Sequence, residues 1–205
     1  MKKAIALALV LGVSGCSHTA KPQAIGAFNV YSSYSDKLPG KYLLYVDASA
    51  LDTVAKPSDI NCAAHKYPLN MQSGFQGSVR KTFSNLVEEL EVVTSPVNRS
   101  DLQRLGARGM IVVRGEDVDT RLRLVPGMWT ASVETDVEIA ASIVVDGRKG
   151  RLLGKTVSGD KRSQADAGMM CEGGAKALAQ SAEGAMKEAV RRLAEELSNS
   201  ERVRS

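Results

Sequence analysis

The sequence predicts an α+β domain whose mixed, mostly antiparallel sheet carries two long helices packed on one face. Two stretches, 73–90 and 173–197, repeat apolar residues at intervals of three and four, as a helix with one buried stripe does. Between them, residues 108–159 alternate apolar and polar side chains in long runs, which is typical of antiparallel strands with one wet face. Strands and helices are thus partly segregated along the chain, which favours α+β over a regular βαβ order.

The first elements of the domain are predicted from residue 41 onward. Residues 41–47 are apolar and aromatic and indicate a buried first strand. Residues 48–71 contain several Pro, Asp and Asn residues, and we expect a long loop there. Ser73 and Gln76 have the spacing of a capping box and start the first long helix. Its apolar stripe consists of Phe75, Val79, Phe83, Leu86, Val87 and Leu90.

Short elements and then a meander of three strands are predicted in the middle of the chain. Residues 91–95 are largely β-branched and indicate a strand, and residues 100–105 indicate a short helix. The meander lies within 108–159. Its turns are predicted at 126–127 and 146–147, where Pro-Gly and Asp-Gly pairs suit tight turns.

Several carboxylates lie on these strands, and paired carboxylates are also the acid and base of glycoside hydrolysis. Residues that alternate with apolar ones more commonly form a solvated sheet face. Arg121 and Arg123 have the parity to pair with them across the hairpin, which favours the solvated face. The carboxylates are Asp117, Asp119, Glu134, Asp136 and Glu138.

The last long helix, at 173–197, has an apolar stripe rich in alanine, which indicates close approach to the sheet. The polar residues 198–205 are expected to fray. A glycine-rich loop at 168–174 precedes the helix, as in phosphate-binding loops. It lacks the Lys-Ser/Thr that such loops need and it contains Glu172, so we interpret it as a flexible start of the helix.

The first sixteen residues contain the parts of a bacterial export signal in their usual order. Lys2 and Lys3 precede an apolar run at 4–13, which is too short to span a bilayer. Small residues at 13–15 then lead to Cys16. This arrangement resembles a bacterial lipobox, and the alternative is an ordinary signal peptide followed by a chance cysteine.

The lipobox resemblance implies that residues 1–15 are removed and that Cys16 receives acyl chains on its thiol and its new amino group. Ser17, rather than Asp, follows the cysteine, which in such lipoproteins implies the outer membrane. We therefore expect a lipid-anchored protein of the Gram-negative outer membrane, facing the periplasm. The expected division is a signal peptide at 1–15, a lipidated tether at 16–40, a domain at 41–197 and a polar tail at 198–205.

Cys62 and Cys171 remain as a pair in an oxidising compartment, so a disulfide is the default expectation. Two free thiols or a zinc site are the alternatives, but His18 and His65 make no zinc spacing with both cysteines. A catalytic pair, with Cys62 as the nucleophile and His65 as its base, is a further alternative. Three residues of a proline-rich loop do not by themselves set that geometry.

Composition excludes one class of partner and favours no chemistry. Hydrophobic residues are 43% and charged residues 24% of the chain, as in ordinary globular domains. No basic cluster is longer than 191–192, so nucleic-acid binding is not expected. Without a convergent catalytic or metal-binding set, we expect no enzyme and no cofactor beyond the lipid.

Met128 and Trp129 are the candidate partner-binding residues, because they occupy a predicted hairpin tip and such side chains are enriched where proteins meet partners or membranes. The alternative is a tip that folds back over the sheet edge or the helix.

The order of elements over residues 41–197, the meander and the lipobox together resemble the amino-terminal domain of the Tol–Pal translocation protein (TolB) and lipoproteins of the YajG, curli-secretion, Pel polysaccharide and penicillin-binding-protein-activator types. The resemblance implies a non-enzymatic envelope assembly, secretion or scaffold component that works through protein contacts or self-association. The alternative is a monomeric periplasmic ligand-binding or envelope-stress module that uses a cleft beneath the 48–71 loop.

Overall fold

A five-stranded sheet, seen in the computed structural model, is the frame of the molecule. The structure describes residues 16–23, 26, 29–58 and 62–205, so the predicted signal peptide at 1–15 lies outside the described residues. The strands are β1 Leu38–Asp47, β2 Thr53–Ala55, β3 Tyr67–Leu69, β4 Val87–Val92, β5 Gly109–Pro126, β6 Ala131–Gly147 and β7 Gly150–Asp166. The helices are α1 Gln72–Leu86, α2 Arg99–Leu102, α3 Gly173–Ser198 and α4 Glu201–Arg204, with a 3₁₀ turn at Ser49–Leu51.

The strand order in the main sheet is β4-β1-β5-β6-β7. Strand β1 is parallel to both β4 and β5, whereas β5, β6 and β7 form an antiparallel meander. Helices α1 and α3 contact each other and pack on the same face of the sheet. The predicted α+β fold class is therefore confirmed. None of the helices in the described part of the chain combines the length and apolarity needed to cross a bilayer.

The main core lies between α3 and the meander. Every second residue of β6 points into it, which confirms the period-two pattern; Val137, Ile139, Ala141, Ile143 and Val145 are fully buried. The helix comes close to the sheet at β7. A Cβ on Gly159 would collide with the backbone of Ala185 and Ala189, so the alanine stripe indeed reports close approach.

The start of α1 differs from the prediction. The helix begins at Gln72, and Ser73 lies inside it rather than at its cap. The Asp52 carboxylate accepts hydrogen bonds from the backbone N–H of Met71 (2.7 Å) and Gln72 (2.9 Å), so the cap comes from a distant segment. The helix ends at Leu86 and the chain enters β4 at once, so Leu90 is a strand residue.

Residues 48–71 are not the open loop that composition suggests. They contain the 3₁₀ turn and the antiparallel pair β2–β3, and they pack on the core. Leu51, Tyr67 and Leu69 are fully buried, and Leu51 lies against the backbone of Gly115 at a bulge in β5. These side chains fill the inner side of the segment, whereas a cavity of about 310 Å³ lies between Lys56 and Ser58 and the strands β5–β7. The ligand cleft expected beneath the segment stays a prediction.

The predicted tether is also part of the fold. Strand β1 begins at Leu38. The described residues of 16–37 are called the N-terminal strap below: residues 16–20 pair with 66–69, and the later residues run along α3. Three backbone N–H groups of the strap donate to α3 and its C-terminal flank: Gln23 to Glu183 (2.7 Å), Tyr31 to Glu195 (3.3 Å) and Ser33 to Asn199 (2.8 Å).

The C-terminal residues do not form a frayed tail. Helix α4 buries Val203 completely, and the Val203 carbonyl accepts a hydrogen bond of 2.9 Å from the hydroxyl of Tyr42. Burial raises the pKa of Tyr42. The Arg204 guanidinium lies 4.0 Å from the ring centre of Tyr34 on the strap. The tail therefore closes the core at the end of the sheet where β1 and β7 begin.

The second hairpin turn is shifted from its predicted place. Gly147 pairs with Gly150, so Arg148 and Lys149 form the two-residue turn. Strand β7 continues to Asp166, beyond its predicted end at residue 159, because its pairing with β6 runs the full length of both strands.

Candidate functional site

Two loops leave the meander at the same end. Pro126 pairs with Ala131 across the first hairpin, and Ser132 pairs with Asp166 at the end of β7. The hairpin loop 127–130 and the loop 167–172 are therefore neighbours, and Ala167 donates a hydrogen bond of 2.9 Å to the Ala131 carbonyl.

A disulfide joins a third segment to this end. The pairing predicted for Cys62 and Cys171 is present, with Cα atoms 6.3 Å apart. The Tyr67 hydroxyl donates a hydrogen bond of 2.7 Å to the Cys171 carbonyl, and burial raises the pKa of Tyr67. Because the Cys62 sulfur is bonded to Cys171, there is no free Cys62 thiol for His65 to activate. The interpretation of the two residues as nucleophile and base is therefore wrong.

Cys16 lies at this end as well, and its side chain is exposed. Its carbonyl accepts a hydrogen bond of 3.1 Å from the Lys66 N–H, and His18 donates its N–H to the Lys66 carbonyl at 2.9 Å. The rings of His18 and His65 are stacked, with Nε2 and Nδ1 3.0 Å apart. The residue predicted to carry lipid is thus hydrogen-bonded to the folded domain.

The four segments form a surface that we call the disulfide end, defined as residues 16–19, 62–65, 127–130 and 167–171. None of them contains Asp, Glu, Lys or Arg, although charged residues are 24% of the whole chain. Charged residues begin at the border of this surface, with Lys66, Asp166 and Glu172.

Large apolar side chains project from the disulfide end. The exposed fractions are 90% for Met128, 92% for Trp129, 99% for Met169 and 57% for Met170. The alternative of a hairpin tip folded back on the domain is therefore wrong, and the partner role of Met128 and Trp129 stays a prediction. Sequence reasoning missed Met169 and Met170, although two adjacent methionines in an uncharged loop were a usable signal.

The loop 167–172 has a defined backbone rather than a phosphate cradle. Gly168 and Cys171 both adopt positive φ, at 67° and 56°. The Glu172 carboxylate accepts a hydrogen bond of 2.9 Å from the Met170 N–H. This backbone N–H is therefore not free to bind a phosphate. Hydrogen bonds from its own N–H and from the Met170 N–H lower the pKa of Glu172.

The carboxylates of the meander belong to a solvated face. Arg123 pairs with Glu134 across the first hairpin at 2.7 Å, and Arg162 pairs with Asp136 at 3.0 Å. Arg121 pairs with Asp119 on its own strand, not across the hairpin as predicted. Such exposed pairs contribute little to stability. Within the described ranges, no three His, Cys, Asp or Glu side chains are grouped to hold a metal ion.

Comparison with known proteins finds no matching family model and no matching curated protein. A DUF330 protein of Xanthomonas campestris is 8% identical, with a TM-score of 0.44 over 88% of this chain and 92% of its own. A minor lipoprotein of Acinetobacter baumannii is 9% identical, with a TM-score of 0.37 over 76% of this chain and 90% of its own.

A neuraminyllactose-binding hemagglutinin homolog of Helicobacter pylori is 8% identical, with a TM-score of 0.43 over 85% of this chain and 92% of its own. These identities and scores are all low. None of the three proteins bears the name of a family that the element order resembles, and that resemblance therefore stays a prediction.

Proposed function

We propose that this chain is a non-enzymatic lipoprotein, anchored by acyl chains on Cys16 at the periplasmic face of the Gram-negative outer membrane. It serves there as an assembly, secretion or scaffold component through protein contacts. One observation carries the proposal: Cys16 is exposed at a disulfide-closed surface beside the uncovered Met128 and Trp129. The site for the lipid and a group of uncovered apolar side chains thus lie at the same end of the domain.

The disulfide supports export, because such bonds persist in oxidising compartments such as the periplasm. Exposure of Cys16 supports lipidation, since the modified thiol and amino group must both leave the protein surface. The exposed Met128 and Trp129 support a docking role, because large uncovered apolar side chains mark interaction sites.

The open edge of β4 supports protein contacts. Strands β4 and β7 are the two edges of the sheet. On β7, Arg192 donates to the Ser158 carbonyl (2.9 Å) and Arg202 to the Arg151 carbonyl (2.7 Å), which blocks part of that edge. The side chains of β4 are mostly exposed, so β4 is the better edge for a partner strand.

Lipid anchoring is tested in cells by labelled palmitate and membrane fractionation. We expect label on the wild-type chain, and we expect Cys16→Ala to lose both the label and its place in the outer-membrane fraction. An unlabelled wild-type chain, or a Cys16→Ala protein that fractionates unchanged, would contradict the proposal.

Protein contact is tested with a photoreactive amino acid at Val92 on β4, with the same group at Lys155 on β7 as the matched control. We expect protein adducts from position 92 and several-fold fewer from position 155. Equal or absent adducts, together with a strictly monomeric protein in light scattering, would favour the ligand-binding alternative. The cavity between Lys56, Ser58 and the meander would be the ligand site in that case.

A further inference from the structure

We infer that the disulfide end lies directly on the lipid bilayer, with Trp129 and the neighbouring methionines inserted among the headgroups and the upper acyl chains. The inference rests on the proposed lipidation of Cys16. It names the partner of the docking surface as the membrane itself and leaves protein contacts to other faces of the domain.

The first step is that no flexible linker separates the lipid attachment point from the folded domain. The backbone of Cys16 and that of His18 are hydrogen-bonded to Lys66, and Ala20 is buried. A flexible linker of n residues spans about 5–6 Å × √n, but here no flexible residue separates the modified cysteine from the fold. Acyl chains on Cys16 therefore bring the disulfide end itself to the bilayer surface.

The second step is that the side chains at this end are those that the membrane interface accepts. Trp is enriched at the boundary between headgroups and hydrocarbon, and Met is flexible and apolar. Trp129 and Met128 project from one loop and Met169 and Met170 from the next, and both loops leave the sheet at the same level. An apolar face of this kind settles about 5–10 Å deep at the headgroup boundary.

The third step concerns charge. Moving a charged side chain into the hydrocarbon edge is costly, and the four segments of the disulfide end contain no Asp, Glu, Lys or Arg. Lys66, Asp166 and Glu172 lie at the border, where headgroups and water remain available to them. A protein partner does not require this complete absence of charge, because the rim of a protein interface is polar. The pattern therefore favours lipid.

The test uses the fluorescence of Trp129, the only tryptophan of the chain. The mature protein, as purified from cell membranes, is reconstituted into phosphatidylethanolamine–phosphatidylglycerol vesicles, with or without lipids brominated on their acyl chains. We expect the emission of Trp129 to shift to shorter wavelength and to lose about half of its intensity to the brominated lipid.

The matched control moves the tryptophan from the β5–β6 hairpin turn to the strap. In the double variant Trp129→Phe, Tyr31→Trp, the tryptophan replaces the exposed side chain of Tyr31. The backbone N–H of this residue is hydrogen-bonded to Glu195 in the C-terminal half of α3. We expect its emission to stay water-like and unquenched. Met169→Glu should reduce the quenching of Trp129 about two-fold, because a carboxylate resists insertion, whereas Lys149→Glu in the other hairpin turn should leave it unchanged.

The outcomes separate the two proposals. If the protein floats with the vesicles but Trp129 stays water-like and unquenched, the inference is wrong and the anchoring stands. If the protein does not float with the vesicles, the lipidation itself is wrong and the inference goes with it. A photoreactive group at position 129 that yields protein adducts rather than lipid adducts in cells also overturns the inference and identifies a protein partner.

Discussion

The two hairpin turns of the meander belong to one sheet but have opposite chemistry. The β5–β6 turn presents Met128 and Trp129 to solvent, whereas the β6–β7 turn presents Arg148 and Lys149. The charged turn is held to the body of the domain, because Arg148 Nε donates a hydrogen bond of 3.0 Å to the Ala107 carbonyl. The apolar turn stands clear of the domain.

This difference shows that exposure at a hairpin turn does not by itself explain uncovered apolar side chains. Both turns are exposed, and only the turn beside Cys16 and the disulfide is apolar. The opposite end of the sheet is closed by α4 and carries arginines. One end is thus suited to contact with an apolar partner and the other to water.

The disulfide should have the largest effect, and only on one side of this comparison. Cys62 and Cys171 are 109 residues apart, so the chain-entropy model attributes about 5 kcal/mol of stability to their bond. We expect Cys62→Ser, Cys171→Ser to lower the free energy of unfolding in urea by several kcal/mol. Amide exchange should quicken first in 167–171 and last around 148–149. An unchanged unfolding midpoint would show that the disulfide does not contribute to stability.

The opposite end should depend on packing instead. Val203 is the fully buried residue of α4, so Val203→Ala leaves a cavity and should cost about 2 kcal/mol in thermal or urea unfolding. Val92→Ala, at an exposed valine of β4, is the control and should change stability by under about 0.5 kcal/mol. Equal effects of the two substitutions would mean that α4 does not close the core.

Substitutions in the two turns should differ in how much they lower the free energy of unfolding. Arg148→Ala removes the hydrogen bond to Ala107 and should cost about 1 kcal/mol of unfolding free energy. Trp129→Ser removes a side chain that is 92% exposed and should change stability by under about 0.5 kcal/mol. Melting curves of both variants decide the matter. A large fall in stability for Trp129→Ser would place Trp129 in the core.

Acid should act weakly and locally on the disulfide end. The pKa of Glu172 is lowered in the fold, so its carboxylate contributes stability above the unfolded pKa, and this is lost as pH falls through the folded pKa. The side chain is exposed, so we expect a small effect, visible as faster exchange of the Met170 amide in acid. Glu172→Gln should remove that pH dependence; an unaltered profile in the variant would assign it to another group.

Much of the core could be predicted from the sequence, because local patterns report which face of an element is buried. The alternation in β6 and the alanine stripe of α3 have their predicted places, and the predicted disulfide is present. The predictions failed where a distant residue intervened. Asp52 replaces Ser73 as the cap of α1, and Tyr42 holds the carbonyl of Val203 in a segment that reads as a polar tail.

The sequence by itself determined the fold class, the two long helices, the meander and the cysteine pair, since each depends on periodicity or residue type over a short span. Only the tertiary structure decided that the strap follows α3 and that Cys16, the disulfide and four exposed apolar side chains share one end. These residues are far apart in the chain. Their meeting depends on strand register and on hydrogen bonds between distant segments, which no local pattern encodes.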